Sequence, residues 1–278
     1  IRLGAATARV LEPVQPRLLV ARDTRESGPW IERCLAAGVA AADGSLVSVG
    51  VTSTPAAAFL TASQGFDAGF MISASHNPFP DNGIKVLTKD GVKASDDLET
   101  QLSASISDRS WPLPIVPADA LETQDMTEAY VARLRNVFSD ANTWHPGRIV
   151  VDCANGSTSV VAPLVLRQLG FEVVALNVEP DGQNINEGGG STHPERLQRV
   201  VREQMCPLGV AFDGDGDRAI LVDGDGEVVD GDAVLYICAT HLASKGRLPG
   251  RAVVATVMSN MGLEVALRDA GIAMYRCP

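Results

Sequence analysis

The chain has 278 residues, room for two or more domains, and its 45% hydrophobic content suits a folded protein with ordinary cores. A net charge of −11 argues against a nucleic-acid partner, which calls for a basic face, and suits a cation-dependent site better. Five scattered cysteines with no C-x-x-C pair, and no apolar run near the ~20 residues of a membrane span, give the expectation of a cytoplasmic protein with no membrane association.

Short β-branched runs alternate with helical stretches, the pattern of α/β units with largely parallel strands. Arg17–Ala21 reads as a strand, and Ser27-Gly28-Pro29 opens a helix running to about Ala42. Leu46–Val49 is the next strand, and Thr54-Pro55 starts the next helix. The apolar run Ala68–Ile72 ends in Ser73-Ala74-Ser75, which sets Ser75 just beyond a strand's carboxyl end, where ligands of open α/β sheets collect. Ile84–Leu87 resumes as a strand and Asp96–Ile106 as a helix. Trp111–Ala120, with three prolines, reads as an irregular crossing, Thr127–Phe138 as a helix and Asn142–Gly147 as a linker.

A second unit begins with strand Arg148–Val151, helix Val160–Leu169 and strand Phe171–Leu176. The glycine-rich loop Pro180–Gly190 follows, and Thr192-His193-Pro194-Glu195 has the capping-box spacing that starts a helix, to which His193 is assigned, with a loop facing the cleft as its alternative. Strand Leu208–Phe212 leads into Asp213-Gly214-Asp215-Gly216-Asp217-Arg218. Ala219–Val222 and Glu227–Val229 flank Asp223-Gly224-Asp225-Gly226 as a hairpin, and a helix from about Asp232 to Ser244 closes the unit. Strand Ala252–Thr256, helix Asn260–Asp269 and strand Ile272–Tyr275 open a third unit too small to own a core. The expected fold is therefore α/β, built from successive mixed-sheet domains over 1–141, 142–246 and 247–278, the last cut short. The start, Ile1-Arg2-Leu3-Gly4, lacks an initiator methionine, so the chain is expected not to begin where its gene begins.

Two loops carry the chemistry. In Asp213, Asp215 and Asp217 the carboxylates alternate with glycines, which let the backbone fold tightly enough for three acids to converge. Such acids repel without a cation, and Mg²⁺ takes oxygen ligands while drawing only part of its shell from protein. A phosphate oxygen on Ser75 makes a natural fourth ligand, and Arg218 can neutralise phosphate or orient an aspartate. The bland reading is a solvated turn. A calcium EF-hand fails because Arg218 fills the required glycine position and Gly224 the required glutamate. For Ser75 the bland reading is a turn serine beside Asn-Pro. There is no G-x-S-x-G elbow, and His76, as the immediate neighbour, is badly placed as its base. His76 and Lys85 can supply donors to a phosphate, and Lys85 can shuttle a proton if its pKa is depressed. Arg25 either positions the serine loop or makes a salt bridge.

Met71–Pro78, together with Asp81-Asn82-Gly83-Ile84-Lys85, resembles the phosphoserine loop of the α-D-phosphohexomutase superfamily, and Asp213–Arg218 resembles its magnesium loop. Asp152–Gly156, Asn184-Ile185-Asn186, Gly190–Glu195 and Val254–Asn260 are most similar to its bacterial phosphoglucosamine mutase branch. The resemblance implies four domains around a cleft and a serine, here Ser75, that passes phosphate to a hexose phosphate and receives the other phosphate of the resulting bisphosphate. It implies Mg²⁺ on Ser75, Asp213, Asp215 and Asp217. Arg218 is their companion, and His76 and Lys85 become phosphate contacts with acid–base roles. The substrate would be glucosamine phosphate, with glucose and mannose phosphates as alternatives, and a homodimer is left open. Missing against the family pattern are the N-terminal G-T-D-G-I-R-G stretch, most of the third domain with its sugar-selecting loop, and the fourth domain; Ala21 stands where glycine is usual. Two rivals persist: a haloacid-dehalogenase phosphatase with Asp213 as nucleophile, and a non-catalytic truncated remnant.

Overall fold

Leu18, Leu19, Val20 and Ala21 are all fully buried, so this strand must be covered on both faces, and the alternation of its side chains decides which helices cover which face. The computed structural model describes residues 1–11, 14–112, 121–138 and 146–278. The first unit comprises α1 (Arg2–Val10), β1 (Arg17–Arg22), α2 (Gly28–Ala40), β2 (Ser45–Val51), α3 (Thr54–Ser63) and β3 (Ala68–Ile72). It continues with β4 (Ile84–Thr88), α4 (Asp96–Ser107), β5 (Glu122–Thr123) and α5 (Thr127–Val137). Its sheet runs β4-β3-β1-β2-β5, with β4 antiparallel to β3 and the other pairs parallel. Leu18, Val20, Phe70 and Ile72 face Leu35 and Val39 of α2; Leu19, Ala21 and Met71 face Ala57 and Leu60 of α3. The proline-rich crossing assigned to Trp111–Ala120 and the linker at Asn142–Gly147 fall largely outside the described residues.

Helix α1 has no capping side chain at Ile1 and only small residues on its inner face, so no sequence signal announces it. Those small residues let it lie directly on α2. A Cβ at Gly4 would sit 2.4 Å from the Leu35 carbonyl oxygen, and one at Gly38 would sit 2.0 Å from that of Ile1. Gly38→Ala should therefore be destabilising even though alanine is the better helix former. The propensity gain is about 1 kcal/mol, whereas forcing backbone apart costs ~1–3 kcal/mol or more. A drop of several degrees in melting temperature is expected, and an unchanged or raised value would refute the close packing.

The second unit comprises β6 (Arg148–Asp152), α6 (Val161–Gln168), β7 (Glu172–Leu176), α7 (Glu195–Glu203), β8 (Leu208–Phe212), β9 (Ala219–Asp223) and β10 (Val228–Val229). Its order is β10-β9-β8-β6-β7, with the predicted hairpin between β9 and β10 present and antiparallel. Val150 and Ala211 point to Leu197 and Val201 of α7, and Ile149, Val151 and Val210 to Ala162 and Leu166 of α6. The capping box expected at Thr192 does not form: α7 begins at Glu195, with Pro194 at the cap position and no side-chain cap bond.

The third unit has α8 (Gly231–Ser244), β11 (Ala252–Thr256), α9 (Met261–Asp269) and β12 (Ala273–Cys277), with β11 and β12 parallel. Ala239, Leu235 and Ala243 of α8 pack with Val253, Leu263 and Leu267. The helix that the sequence reading gave to the second unit packs instead on the third, because its apolar residues meet β11 and α9. Among the described residues no helix is long and apolar enough to cross a membrane.

Candidate active site

Both large sheets have a topological switch point, β1/β3 in the first and β6/β8 in the second. Crevices at the carboxyl ends of such strands are where open α/β sheets bind ligands. Ser75 follows β3 and Asp213 follows β8, so each chemistry-bearing loop leaves its sheet at that point. The two crevices meet. Thr24, after β1, donates to the Asn155 carbonyl, after β6, at 2.6 Å, and the Glu26 amide donates to the Gly182 carbonyl at 3.0 Å. The first residue of α3, Thr54, bonds the metal-type loop twice: its amide to the Asp215 carbonyl at 2.8 Å and its hydroxyl to Asp215 Oδ2 at 2.6 Å.

Ser75 itself is held in the left-handed region, φ +53°, a conformation that L-residues adopt only under constraint. Its amide donates to Ser73 Oγ at 2.8 Å, and Ser73 Oγ donates to Asp23 Oδ2 at 2.6 Å. Asp23 in turn pairs with the Nε of Arg25, and both side chains are fully buried. Burial pushes the Asp23 carboxyl up despite the opposing bonds from Ser73 and Arg25. Arg25 spends its remaining donors on the loop backbone: the carbonyls of Pro78 and Asp81, of Ser75 at 3.1 Å and of Asn77 at 2.8 Å. The choice left open for Arg25 resolves as both, a salt bridge and a hold on the serine loop.

These constraints aim the hydroxyl across the crevice. Ser75 Oγ donates to Asp213 Oδ2 at 2.6 Å and accepts from Arg218 Nη2. Arg218 also donates to His76 Nδ1, so the ring proton sits on Nε2 and faces away from that bond. Arg218 Nε reaches Asp213 Oδ2 at 3.2 Å, its amide reaches Asp213 Oδ1 at 3.1 Å, and its head lies 3.5 Å from Asp217. Carboxylate oxygens of Asp213, Asp215 and Asp217 lie within 4.8 Å of one another. Lys85 Nζ lies 2.6 Å from Asp215 Oδ2 and 2.9 Å from Asp217 Oδ2. All seven residues singled out from the sequence thus converge on one point.

Burial pulls the Lys85 ammonium down, but the bonds to Asp215 and Asp217 outweigh it and hold its pKa above 10.5. With both carboxylates free to pair with it, Lys85 is held as the charged ammonium. Burial raises Asp213 above the ordinary 3.8, aided by the charges of Asp215 and Asp217. Burial likewise penalises Asp215, yet hydrogen bonds from Lys85 and Thr54 bring it below 3.8.

Sequence reasoning missed Thr54, whose Thr-Pro pair reads only as a helix start, and the donors of Asn186. Asn186 Nδ2 reaches the Ser75 carbonyl at 2.9 Å and that of Asn77 at 3.1 Å. His193 follows its alternative reading: it precedes α7 and lines with His76, Phe79 and Asn186 a cavity of about 550 Å³ beside the serine loop. Cys153 is buried with its thiol pushed up to about 12, in keeping with a structural role.

Residues 1–112, 128–226 and 230–278 match alpha/beta/alpha domains I, II and III of the phosphoglucomutase/phosphomannomutase family. The chain is 47% identical over 262 residues to a phosphoglucosamine mutase of Symbiobacterium thermophilum, covering 93% of the chain and 58% of that relative. It is 45% identical over 282 residues to the phosphoglucosamine mutase of Pelotomaculum thermopropionicum, covering 99% of the chain and 63% of the relative. The chain thus spans about three-fifths of the length of the curated relatives it matches. A crystal structure of a phosphoglucomutase/phosphomannomutase family protein from Burkholderia thailandensis superposes with a TM-score of 0.80 at 29% identity, over 99% of this chain and 61% of that one. In sequence and in fold, the chain belongs to the α-D-phosphohexomutase superfamily.

Proposed function

We propose that the whole protein is a Mg²⁺-dependent phosphosugar mutase that interconverts glucosamine 6-phosphate and glucosamine 1-phosphate through a phosphoserine and a bisphosphate. The observation that carries this is the 2.6 Å approach of Ser75 Oγ to Asp213 across two modules. The choice of glucosamine rests on the relatives that bear the name phosphoglucosamine mutase. A cytoplasmic location accords with the free cysteines.

The acidic trio fits a hard divalent cation: every donor is oxygen, and Asp215 Oδ1 is buried with no hydrogen-bond partner. Asp213, Asp215 and Asp217 would hold the ion with an oxygen from Ser75 or its phosphate, and the bound ion would neutralise phosphoryl charge. Lys85 and Arg218 bring two permanent positive charges to the same point. Arg218 would stabilise negative charge on Ser75 Oγ, and His76 Nε2–H would donate to phosphate oxygens. In the forward half-reaction the Ser75 O–P bond breaks, a sugar O–P bond forms, and the sugar hydroxyl's proton ends on Ser75 Oγ. In the second half-reaction the other sugar O–P bond breaks, the Ser75 O–P bond re-forms, and the Ser75 proton ends on the freed sugar oxygen.

Incubation with glucosamine 1,6-bisphosphate is the test. One acid-stable phosphate should appear on Ser75, mapped by peptide mass spectrometry. A labile, hydroxylamine-sensitive acyl phosphate on Asp213 instead would overturn the reading in favour of haloacid-dehalogenase chemistry.

A further inference from the structure

We infer that Asn186 is a positioning residue for Ser75, reaching from the second unit to lock the serine loop over the acidic loop. The inference rests on the mutase reading for its catalytic meaning but on geometry for its substance.

The Ser75 carbonyl and the Asn77 carbonyl are each gripped twice, by Arg25 Nη2 from the same unit and by Asn186 Nδ2 from the other. Arg25 alone would fix the loop to its own sheet. Among the described residues, only the Asn186 amide hydrogen-bonds that backbone from the unit that carries Asp213. Asn186 is well placed to hold a fixed position. It is 9% exposed, has φ +61°, and its own amide donates to the Ala154 carbonyl at 2.8 Å. Ala154 and Asn155 are themselves left-handed, at φ +54° and +49°, and Asn155 is the residue whose carbonyl receives Thr24. A chain of constrained backbone therefore runs from the interface to the serine carbonyl.

The acidic loop passes directly beneath this contact. A Cβ at Gly214 would lie 2.6 Å from the Ser75 carbonyl oxygen and 3.0 Å from Asn186 Nδ2. Three loops thus meet at one place: the carbonyl side of Ser75 rests on Gly214 and Asn186 while its hydroxyl side faces Asp213. Releasing the amide would let the carbonyl swing, and because Ser75 sits in a constrained φ, the hydroxyl would swing with it. A misplacement of about 1 Å at a reacting atom costs on the order of a hundredfold in rate.

The neighbouring Asn184 supplies the control. Its Nδ2 donates to the Glu179 carbonyl at 2.9 Å and its Oδ1 accepts from the Asp181 amide at 3.1 Å, both within its own loop. The experiment compares Asn186→Leu, which keeps side-chain size without donors, with Asn184→Ala. Three readouts apply: the single-turnover rate of phosphate uptake from glucosamine 1,6-bisphosphate, Mn²⁺ affinity, and amide hydrogen exchange across Ser73–Pro78. Asn186→Leu should slow uptake by roughly ten- to a hundredfold and speed exchange in that segment, with Mn²⁺ affinity within about threefold. Asn184→Ala should leave uptake and serine-loop exchange as in the unaltered protein. Unchanged exchange in Asn186→Leu, or an equal response in Asn184→Ala, overturns the inference. If the unaltered protein takes up no phosphate while the exchange response is as expected, the positioning role stands and the mutase reading alone falls.

Discussion

Replacing Ser75 with alanine should abolish phosphate uptake and lower mutase turnover by a factor of about 10⁴ or more, the scale of losing a nucleophile. No neighbour can take over. Ser73 is buried, and its hydroxyl already accepts from the Ser75 amide and donates to Asp23. The Thr54 hydroxyl is committed to Asp215, and His76 Nδ1 to Arg218. The fold should tolerate the change. The methyl group occupies space the serine side chain already fills, alanine pays a similar cost of ~1–2 kcal/mol for the left-handed backbone, and Asp213 keeps its bonds from Arg218. The variant should therefore bind Mn²⁺ and melt within a few degrees of the unaltered protein while carrying no phosphate. Phosphate that persists on Ser75→Ala would place the acceptor elsewhere and end the phosphoserine reading.

What could be read in advance, and what could not, divides along physical lines. The β1 and β3 runs are apolar throughout because they are buried on both faces, and continuous apolar runs bounded by glycine and polar residues are a local signal. Asp213–Arg218 and Ser73–Pro78 were legible because each packs its chemistry into a few consecutive residues. Helix α1 was not legible, since its stability comes from close backbone contact with α2 rather than from capping or an apolar stripe. The hold on Ser75 was equally hidden. Arg25 and Asn186 act through backbone carbonyls and Ser73, backed by Asp23, through a backbone amide, groups that have no sequence identity to recognise, and Asn186 lies more than a hundred residues from the loop it grips. The pairing of Lys85 was hidden too, because both its aspartate partners come from the other unit.

Asp215→Asn should cost the site its cation and the fold part of its stability, whereas Asp213→Asn should cost mainly the cation. Both remove one of three converging carboxylates, and a loss of at least about a hundredfold in Mn²⁺ affinity is expected for each, above the ten- to hundredfold seen for outer-shell groups. Stability separates them. Lys85 and Thr54 hold Asp215 below 3.8 in spite of burial, so its ionised form is favoured by folding. That contribution is present in full above the ordinary carboxylate value and is lost as pH falls through the lowered folded value. Asp213 lies above 3.8 because burial and two neighbouring charges oppose ionisation, so its charge works against folding at neutral pH. Without divalent cation, Asp215→Asn should be less stable than the unaltered protein by on the order of 1–3 kcal/mol at pH 7, the gap closing in acid. Asp213→Asn should be near neutral or slightly stabilising. Equal losses from the two substitutions in cation-free urea melts would refute this division of labour, in which folding favours the Asp215 charge and the Asp213 charge stays energetically costly until a cation or a phosphoryl group arrives.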